Sequence, residues 1–353
     1  MPQLTSSESA SIPQAHHAAA VSSGAGCERR FQLLALDGGG VRGIFTAALL
    51  AGLEEDVGSP LVDHFDLVVG TSTGGIIALA LGAGLTPREI LDFYVAERGA
   101  IFAGPPVWTG VRRLFRAKYP PEGLEAALKR VLGERLLGES RVALVVPSYD
   151  LGENAVHLFK TPHHPRLRRD YRVPMWVVGM ATSAAPTFFP AFRLPVDEVR
   201  LIDGGVWANT PAMVGVTEAV SMFGCGLDEI RVLSLGTTRS LKPRPSRLDN
   251  AGLLRWARGT NVVDVLMAGQ SAGAFAQVQH LIGKESAHRL DPPAPPEIAT
   301  LDSCDARELI AKAAHHSRDF APTFERVFAD HVAPPFQPLH GPNAPSTAKA
   351  GQI

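Results

Sequence analysis

Ser72 stands in Gly70-Thr71-Ser72-Thr73-Gly74, a G-x-S-x-G pentapeptide that directly follows an apolar run ending at Val69 and directly precedes a stretch of helical period. A serine at a sharp strand-to-helix turn projects its hydroxyl from the end of a sheet. The helix behind it turns unpaired N–H groups and a positive dipole end toward any oxyanion that forms there. Those are the requirements of a nucleophile for acyl transfer. Gly, Ser and Thr are also ordinary loop formers, so the setting carries this reading more than the pentapeptide does.

Asp37-Gly38-Gly39-Gly40-Val41-Arg42-Gly43 occupies the same kind of junction, between the first apolar strand and the first helix. Three consecutive glycines leave backbone N–H groups unobstructed, as an oxyanion acceptor needs, and each such donor is worth roughly 3 kcal/mol of barrier. Arg42 has a charge suited either to fixing the loop or to meeting a lipid phosphate. Gly38, Gly40 and Gly43 also satisfy G-x-G-x-x-G, the phosphate fingerprint of dinucleotide folds. That alternative needs an acid at the end of the next strand. Here Leu67-Val68-Val69 runs into Gly70-Thr71-Ser72, and Glu54, Glu55, Asp56, Asp63 and Asp66 all precede or open the strand.

A serine nucleophile needs a base. Of the twelve histidines, His157, His280 and the pairs His163-His164 and His315-His316 are candidates, and none sits at a Gly-flanked strand end. Leu201-Ile202-Asp203-Gly204-Gly205 does place an acid there, followed by two glycines that allow another segment to approach. On local grounds Asp203 reads first as a turn residue, because Asp-Gly is a strong turn dipeptide.

The elements that must position these residues alternate from Phe31 onward: apolar runs bounded by Gly, then stretches of helical period, the rhythm of an α/β fold. Strands are predicted at 31–36, 66–69, 142–146, 155–159, 199–202 and 230–235. Helices are predicted at 44–53, 75–82, 174–181 and 212–223, and one beginning at Thr86-Pro87, with Thr as cap and Pro in the first turn. Residues 253–282 read as mainly helical. The segment 103–121, with Trp108, Phe115, Tyr119, Arg112, Arg113, Arg116 and Lys118, reads either as a surface element covering the core or as a lid beside the site. The expected organisation is a flexible tail over 1–30, one catalytic domain over 31–238, a mainly helical extension over 239–335 reached through Lys242-Pro243-Arg244-Pro245, and a flexible Pro-rich tail over 336–353.

Composition narrows the function classes. The chain has 353 residues, 45% apolar and 20% charged, and 34 basic against 35 acidic side chains give a formal charge of −1. No net field draws it to a nucleic acid polymer or an anionic surface, so membrane contact is expected to be local and apolar. Cys27, Cys225 and Cys304 form neither a disulfide framework nor a metal motif, which fits a reduced cytoplasm. The first thirty residues lack the pattern of a signal peptide, and the longest apolar run, Ile76 to Leu85, is about half a membrane span.

Taken together, the three motifs resemble the patatin-like phospholipase family, with its Asp-Gly-Gly-Gly-x-Arg-Gly loop, Gly-x-Ser-x-Gly elbow and Asp-Gly-Gly motif in this order. Ala181 to Pro190, Asn209-Thr210-Pro211 and Ser234-Leu235-Gly236-Thr237 are similar to the family too, so the resemblance covers 31–238. It implies a three-layer α/β sandwich with a central, mostly parallel sheet flanked by helices, plus a helical C-terminal part. It implies a dyad in which Ser72 attacks an acyl ester and Asp203 takes its proton, with Gly38, Gly39, Gly40 and Arg42 at the oxyanion and no metal or cofactor. The implied substrate is phospholipid at the membrane surface, met peripherally at the inner membrane by a cytoplasmic enzyme whose oligomeric state is left open. Bacterial members that act in antiphage defence are switched on by cyclic di- or oligonucleotides, and this chain resembles them in length and in its helical extension. A binding module with vestigial motifs is the remaining alternative.

Overall fold

Phe31–Leu36 (β1), Leu67–Gly70 (β2) and Ile230–Leu235 (β7) are almost wholly buried. Strands covered on both faces are apolar at most positions, which is why these segments, polar only at Gln32, Arg231 and Ser234, do not show a regular alternation of polarity. A computed structural model gives the architecture and describes residues 29–103, 117–195, 199–240, 261–295 and 305–345, with the single positions 246, 249, 250, 252, 256, 300 and 302 between them. The expected N-terminal tail up to residue 28, the central part of the lid-or-surface segment (104–116), the linker at 242–245, and Cys27 and Cys304 lie outside the described residues.

β1 sits in the middle of an eight-stranded sheet, parallel to β2 on one side and to β7 on the other. β2 runs parallel to β3 (Ala143–Asp150), and β7 parallel to β9 (Ala287–Leu290). The other edge is antiparallel, formed by β4 (Ala155–Lys160), β5 (Phe192–Arg193) and β6 (Arg200–Asp203). β8 (Arg239–Ser240) and β10 (Pro293–Ala294) pair separately as a short parallel ribbon.

Two apolar layers cover the sheet. Leu34, Leu36 and Val68 face one cluster, built with α1 (Gly43–Val57), α2 (Thr73–Gly82), α3 (Pro87–Ile101), α4 (Glu122–Leu132), α5 (Met175–Thr182) and α9 (Ala306–Val327). Leu33, Ala35, Leu67 and Val69 face the other, built with α7 (Ala212–Phe223) and α8 (Asn261–Ile282). A four-residue helix, α6 (Gly205–Ala208), follows β6 and packs on α8. The three-layer α/β sandwich with a mostly parallel sheet is therefore as the sequence implied. Thr86 caps α3 in a reciprocal capping box with Glu89 and Pro87 opens the first turn, as predicted.

The chain after β7 differs from expectation in detail. It contributes β9 to the central sheet, a strand that the sequence did not announce. Ahead of the Pro-rich segment that begins at 336, Ala333 N–H donates to the Asp63 carbonyl (2.7 Å), and within it Leu339 N–H donates to the Pro162 carbonyl (2.8 Å). Proline stops a helix without preventing extended chain from docking through its neighbours' amides.

Candidate active site

Strand register explains how residues 131 positions apart meet. Val145 of β3 pairs with both Val69 of β2 and Lys160 of β4, and Ser148 pairs with both His157 of β4 and Asp203 of β6. A residue has two edges, so β2 and β6 share one edge of β3 and β4 takes the other. β2 runs parallel to β3 and β6 antiparallel, so their C-terminal ends point at each other across Val146 and Pro147. The turn after β2 carries Ser72, and β6 ends on Asp203. Ser72 Oγ donates to Asp203 Oδ2 at 2.6 Å.

Ser72 is the N-cap of α2 and has φ 55° and ψ −121°, a conformation that L residues other than glycine adopt at a cost of roughly 1–3 kcal/mol. The motif's two glycines make the tight turn sterically accessible. A Cβ on Gly70 would strike the Gly74 carbonyl, and one on Gly74 would strike the Leu36 carbonyl. Thr182 of α5 locks the turn from below, accepting the Ser72 N–H (3.0 Å) while donating its hydroxyl to the Pro147 carbonyl (2.6 Å). Thr73 Oγ1 and Tyr94 OH lie 2.6 Å apart and tie α2 to α3.

Asp203 is only 6% exposed and Ser72 9%. Burial pushes the Asp203 carboxyl up to about 6, against the lowering effect of the hydrogen bonds from Ser72 and from Gly205 N–H, which reaches Oδ1 at 2.7 Å. No cation bonds this carboxylate among the described residues. The group is thus ionised at neutral pH yet much more basic than an ordinary aspartate, which suits it to accept a proton from a hydroxyl.

The glycine loop crosses beside this pair. A Cβ on Gly38 would lie 3.4 Å from Ser72 Cβ, and one on Gly39 would collide with the Thr237 side chain. Gly38 N–H is already donated to the Asn209 carbonyl at 3.0 Å. No acceptor meets Gly39 N–H or Gly40 N–H among the described residues, which leaves these two as donors for an incoming oxygen. Arg42 bonds the Gly39 carbonyl through Nε (3.3 Å) and the Thr238 carbonyl through Nη1 (2.9 Å), so of its two sequence readings the structure displays the fixing of the loop. Asp37 is buried below, where Arg289 and Thr210 reach its carboxylate.

No histidine bonds Ser72 or Asp203 among the described residues. His163 is committed to Glu218 and Thr161, and His64 to Ser59 and the His331 carbonyl. Sequence reasoning missed four contributors: Thr182, Asn209, Gln270 and Arg289. The first two fall inside stretches already noted as family-like; Gln270 and Arg289 have no local signal at all.

With this geometry in hand, comparison with known proteins is informative. Residues 34–216 match the family model described as patatin-like phospholipase. A protein of Pseudomonas aeruginosa named cGAMP-activated phospholipase is 32% identical over 89% of this chain and 96% of its own length. A protein of the same name from Vibrio cholerae is 31% identical over 80% of this chain and 88% of its own. Among solved structures, VipD from Legionella pneumophila covers 84% of this chain and 66% of its own at a TM-score of 0.45 and 13% identity. The chain belongs to the patatin-like phospholipase family.

Proposed function

We propose that this chain hydrolyses fatty-acyl esters of membrane phospholipids, with Ser72 as nucleophile and Asp203 as general base. The observation that carries the assignment is the 2.6 Å hydrogen bond from Ser72 Oγ to a buried carboxylate that no cation bonds among the described residues. Ser72 Oγ attacks the ester carbonyl carbon as its proton passes to Asp203 Oδ2. The tetrahedral oxygen takes hydrogen bonds from Gly39 and Gly40 N–H, while Gly38 contributes close approach rather than a donor. Collapse expels the lysophospholipid alkoxide, which recovers the proton from Asp203. Water then attacks the acyl-enzyme as Asp203 again accepts a proton, and on collapse the Ser72 Oγ–acyl bond breaks, Ser72 Oγ recovers that proton from Asp203 and the fatty acid leaves. The test is release of free fatty acid from phosphatidylglycerol and phosphatidylethanolamine vesicles. Wild type is expected to release it and Ser72→Ala to fall at least about a thousandfold; equal rates would sink the proposal.

The names of the relatives from Pseudomonas aeruginosa and Vibrio cholerae support a second element of the reading: cGAMP activates this enzyme as well. It then acts as a cytoplasmic protein recruited peripherally to the inner membrane, degrading it as an antiphage response. No helix among the described residues is long and apolar enough to cross a membrane. Fatty-acid release measured with and without cGAMP decides this element. A rise on addition is expected, and identical rates across micromolar cGAMP overturn it.

A further inference from the structure

The family match ends at residue 216, yet the backbone that offers Gly39 and Gly40 is held from beyond it. Arg289 on β9 sends Nη2 to Asp37 Oδ2 (2.6 Å) and Nη1 to Asp37 Oδ1 (3.2 Å). The guanidinium is itself fixed, by Ser234 Oγ at 2.7 Å, by Asp291 Oδ2 at 2.9 Å and by the face of Phe275 on α8, 5.6 Å to the ring centroid. A two-point fork fixes the orientation of a carboxylate as well as its position. Asp37 is the residue that opens the glycine loop, so its orientation is passed directly to Gly38 and Gly39.

A second hold comes from α8. Gln270 Oε1 accepts from Asn209 N–H (3.0 Å) and Thr210 N–H (3.4 Å), and Ser271 Oγ accepts from Asn209 Nδ2 (3.3 Å). The Asn209 carbonyl is what receives Gly38 N–H, and Thr210 Oγ1 donates to Asp37 Oδ2 at 2.7 Å. The loop is thus braced along two routes, one through a carboxylate and one through a peptide carbonyl, and both end in the segment that follows β7.

We propose that Arg289 and Gln270 are positioning residues for acyl transfer, setting where Gly39 and Gly40 present their N–H groups to the tetrahedral oxygen. This rests on the Ser72 reading above. The effect belongs to the transition state, because an ester carbonyl in the ground state binds weakly to the same donors; kcat should fall while KM holds.

The test compares Arg289→Met, Arg289→Lys and Gln270→Met with wild type and Ser72→Ala on a p-nitrophenyl ester and on phospholipid vesicles, with cGAMP present. Rates of the proteins that keep Ser72 are expressed per serine titrated to completion by a fluorophosphonate probe, which discounts misfolded protein, and that of Ser72→Ala per mole of protein. Arg289→Met is expected to lose about a hundredfold in kcat, the scale of one lost oxyanion donor, with KM within about twofold. Arg289→Lys should recover part of the loss, since it restores charge but not the fork, and Gln270→Met should lose about tenfold. The pH midpoint of activity should stay that of wild type in all three, because Asp203 is untouched. If Arg289→Met fails to fold, Gln270→Met alone decides. Wild-type kcat per titrated serine in the folded variants overturns the inference; wild-type activity in Ser72→Ala overturns the reading beneath it.

Discussion

Thr161, His163 and Glu218 contain the three groups of a hydrolase triad within hydrogen-bond reach of one another, at 2.9 Å from Thr161 Oγ1 to His163 Nδ1 and 2.9 Å from His163 Nε2 to Glu218. Ser72 and Asp203 have only two of them. The difference lies in what is left uncompensated. In the first cluster Lys160 bonds Glu218 at 2.6 Å, the His163 ring stacks on Phe223 with centroids 4.8 Å apart, and Thr161 also takes the Leu144 N–H. Burial alone would raise the Glu218 carboxyl, but its bonds to His163 and Lys160 outweigh that and hold it below the usual range. In the second, no cation bonds Asp203 among the described residues and burial pushes it up to about 6, and Ser72 sits on strained backbone. Satisfied groups hold a fold together; a buried charge without a bonded cation and a strained backbone, found together on two residues that bond each other, are the combination that clusters at sites of chemistry.

The comparison breaks most sharply on activity. Asp203→Asn should lower fatty-acid release at least about a hundredfold, the least that a positioned base contributes. His163→Gln should leave kcat within about twofold while lowering the melting temperature, because it weakens a buried network worth about 1–3 kcal/mol. A vesicle assay run beside thermal melts reads both, and loss of activity in His163→Gln with its fold intact would reverse the assignment of roles.

pH sharpens it next. Asp203 must be ionised to accept the serine proton, so kcat/KM should climb about tenfold per unit as pH rises toward about 6 and level off above it. A climb centred near the ordinary carboxylate value would show that the group carrying the rate is not buried Asp203. His163, whose burial lowers its affinity for protons, leaves no mark on this profile because it never meets substrate.

Stability should move in opposite directions at the two carboxylates. Asp203 binds its proton more tightly folded than unfolded, so its ionised form costs the folded state. That cost begins as pH passes the unfolded value of 3.8 and is complete above about 6, where it amounts to about 3 kcal/mol. Asp203→Asn should therefore raise the melting temperature at pH 7, and the gain should vanish near pH 4. Glu218 is the reverse case: its lowered value contributes stability above the unfolded pKa that is lost as pH falls through the folded one. Glu218→Gln should destabilise at pH 7 by about 3 kcal/mol, since Lys160 is left buried without its partner. Urea denaturation at pH 4 and pH 7 gives both signs.

The legibility of this chain followed the sequence separation of the contacts involved. β1, β7 and α7 were readable to the residue because each carries its signal locally, as a mostly apolar run or as a helical period closed by Gly224. Ser72 was readable for the same reason: strand, turn and helix are contiguous around it. Asp203 reads as a turn residue on local grounds and as a base only by likeness to a family, because the role proposed for it depends on β2 and β6 meeting head-on along β3, which no local pattern encodes. β9 is four residues, Ala-His-Arg-Leu, with too little apolar content to announce a strand; its pairing with β7 makes it one. Gly38 shows the limit most clearly. Its type and place mark an oxyanion loop, but that its own N–H is taken by Asn209 is a fact of tertiary packing.

The smallest effect isolates strain from chemistry. Ser72→Ala and Ser72→Gly both delete the hydroxyl and its bond to Asp203, so both lose activity equally and leave the same carboxylate unpaired. They differ in backbone alone. Alanine keeps a Cβ at φ 55°, whereas glycine enters that region without penalty, at the cost of greater freedom in the unfolded chain. Relief of strain worth roughly 1–3 kcal/mol against an entropic loss near 1 kcal/mol leaves Ser72→Gly more stable than Ser72→Ala by about 1 kcal/mol. At Asn154, also at positive φ but in the exposed turn after β3, the residue type itself tolerates the left-handed region, so Asn154→Gly against Asn154→Ala should track ordinary turn propensity with no activity change. Melts of the four variants measure the contrast. Equal stability of Ser72→Gly and Ser72→Ala would mean that the elbow stores no strain, and the serine's conformation would then be a consequence of the glycines around it rather than a tension the fold sustains.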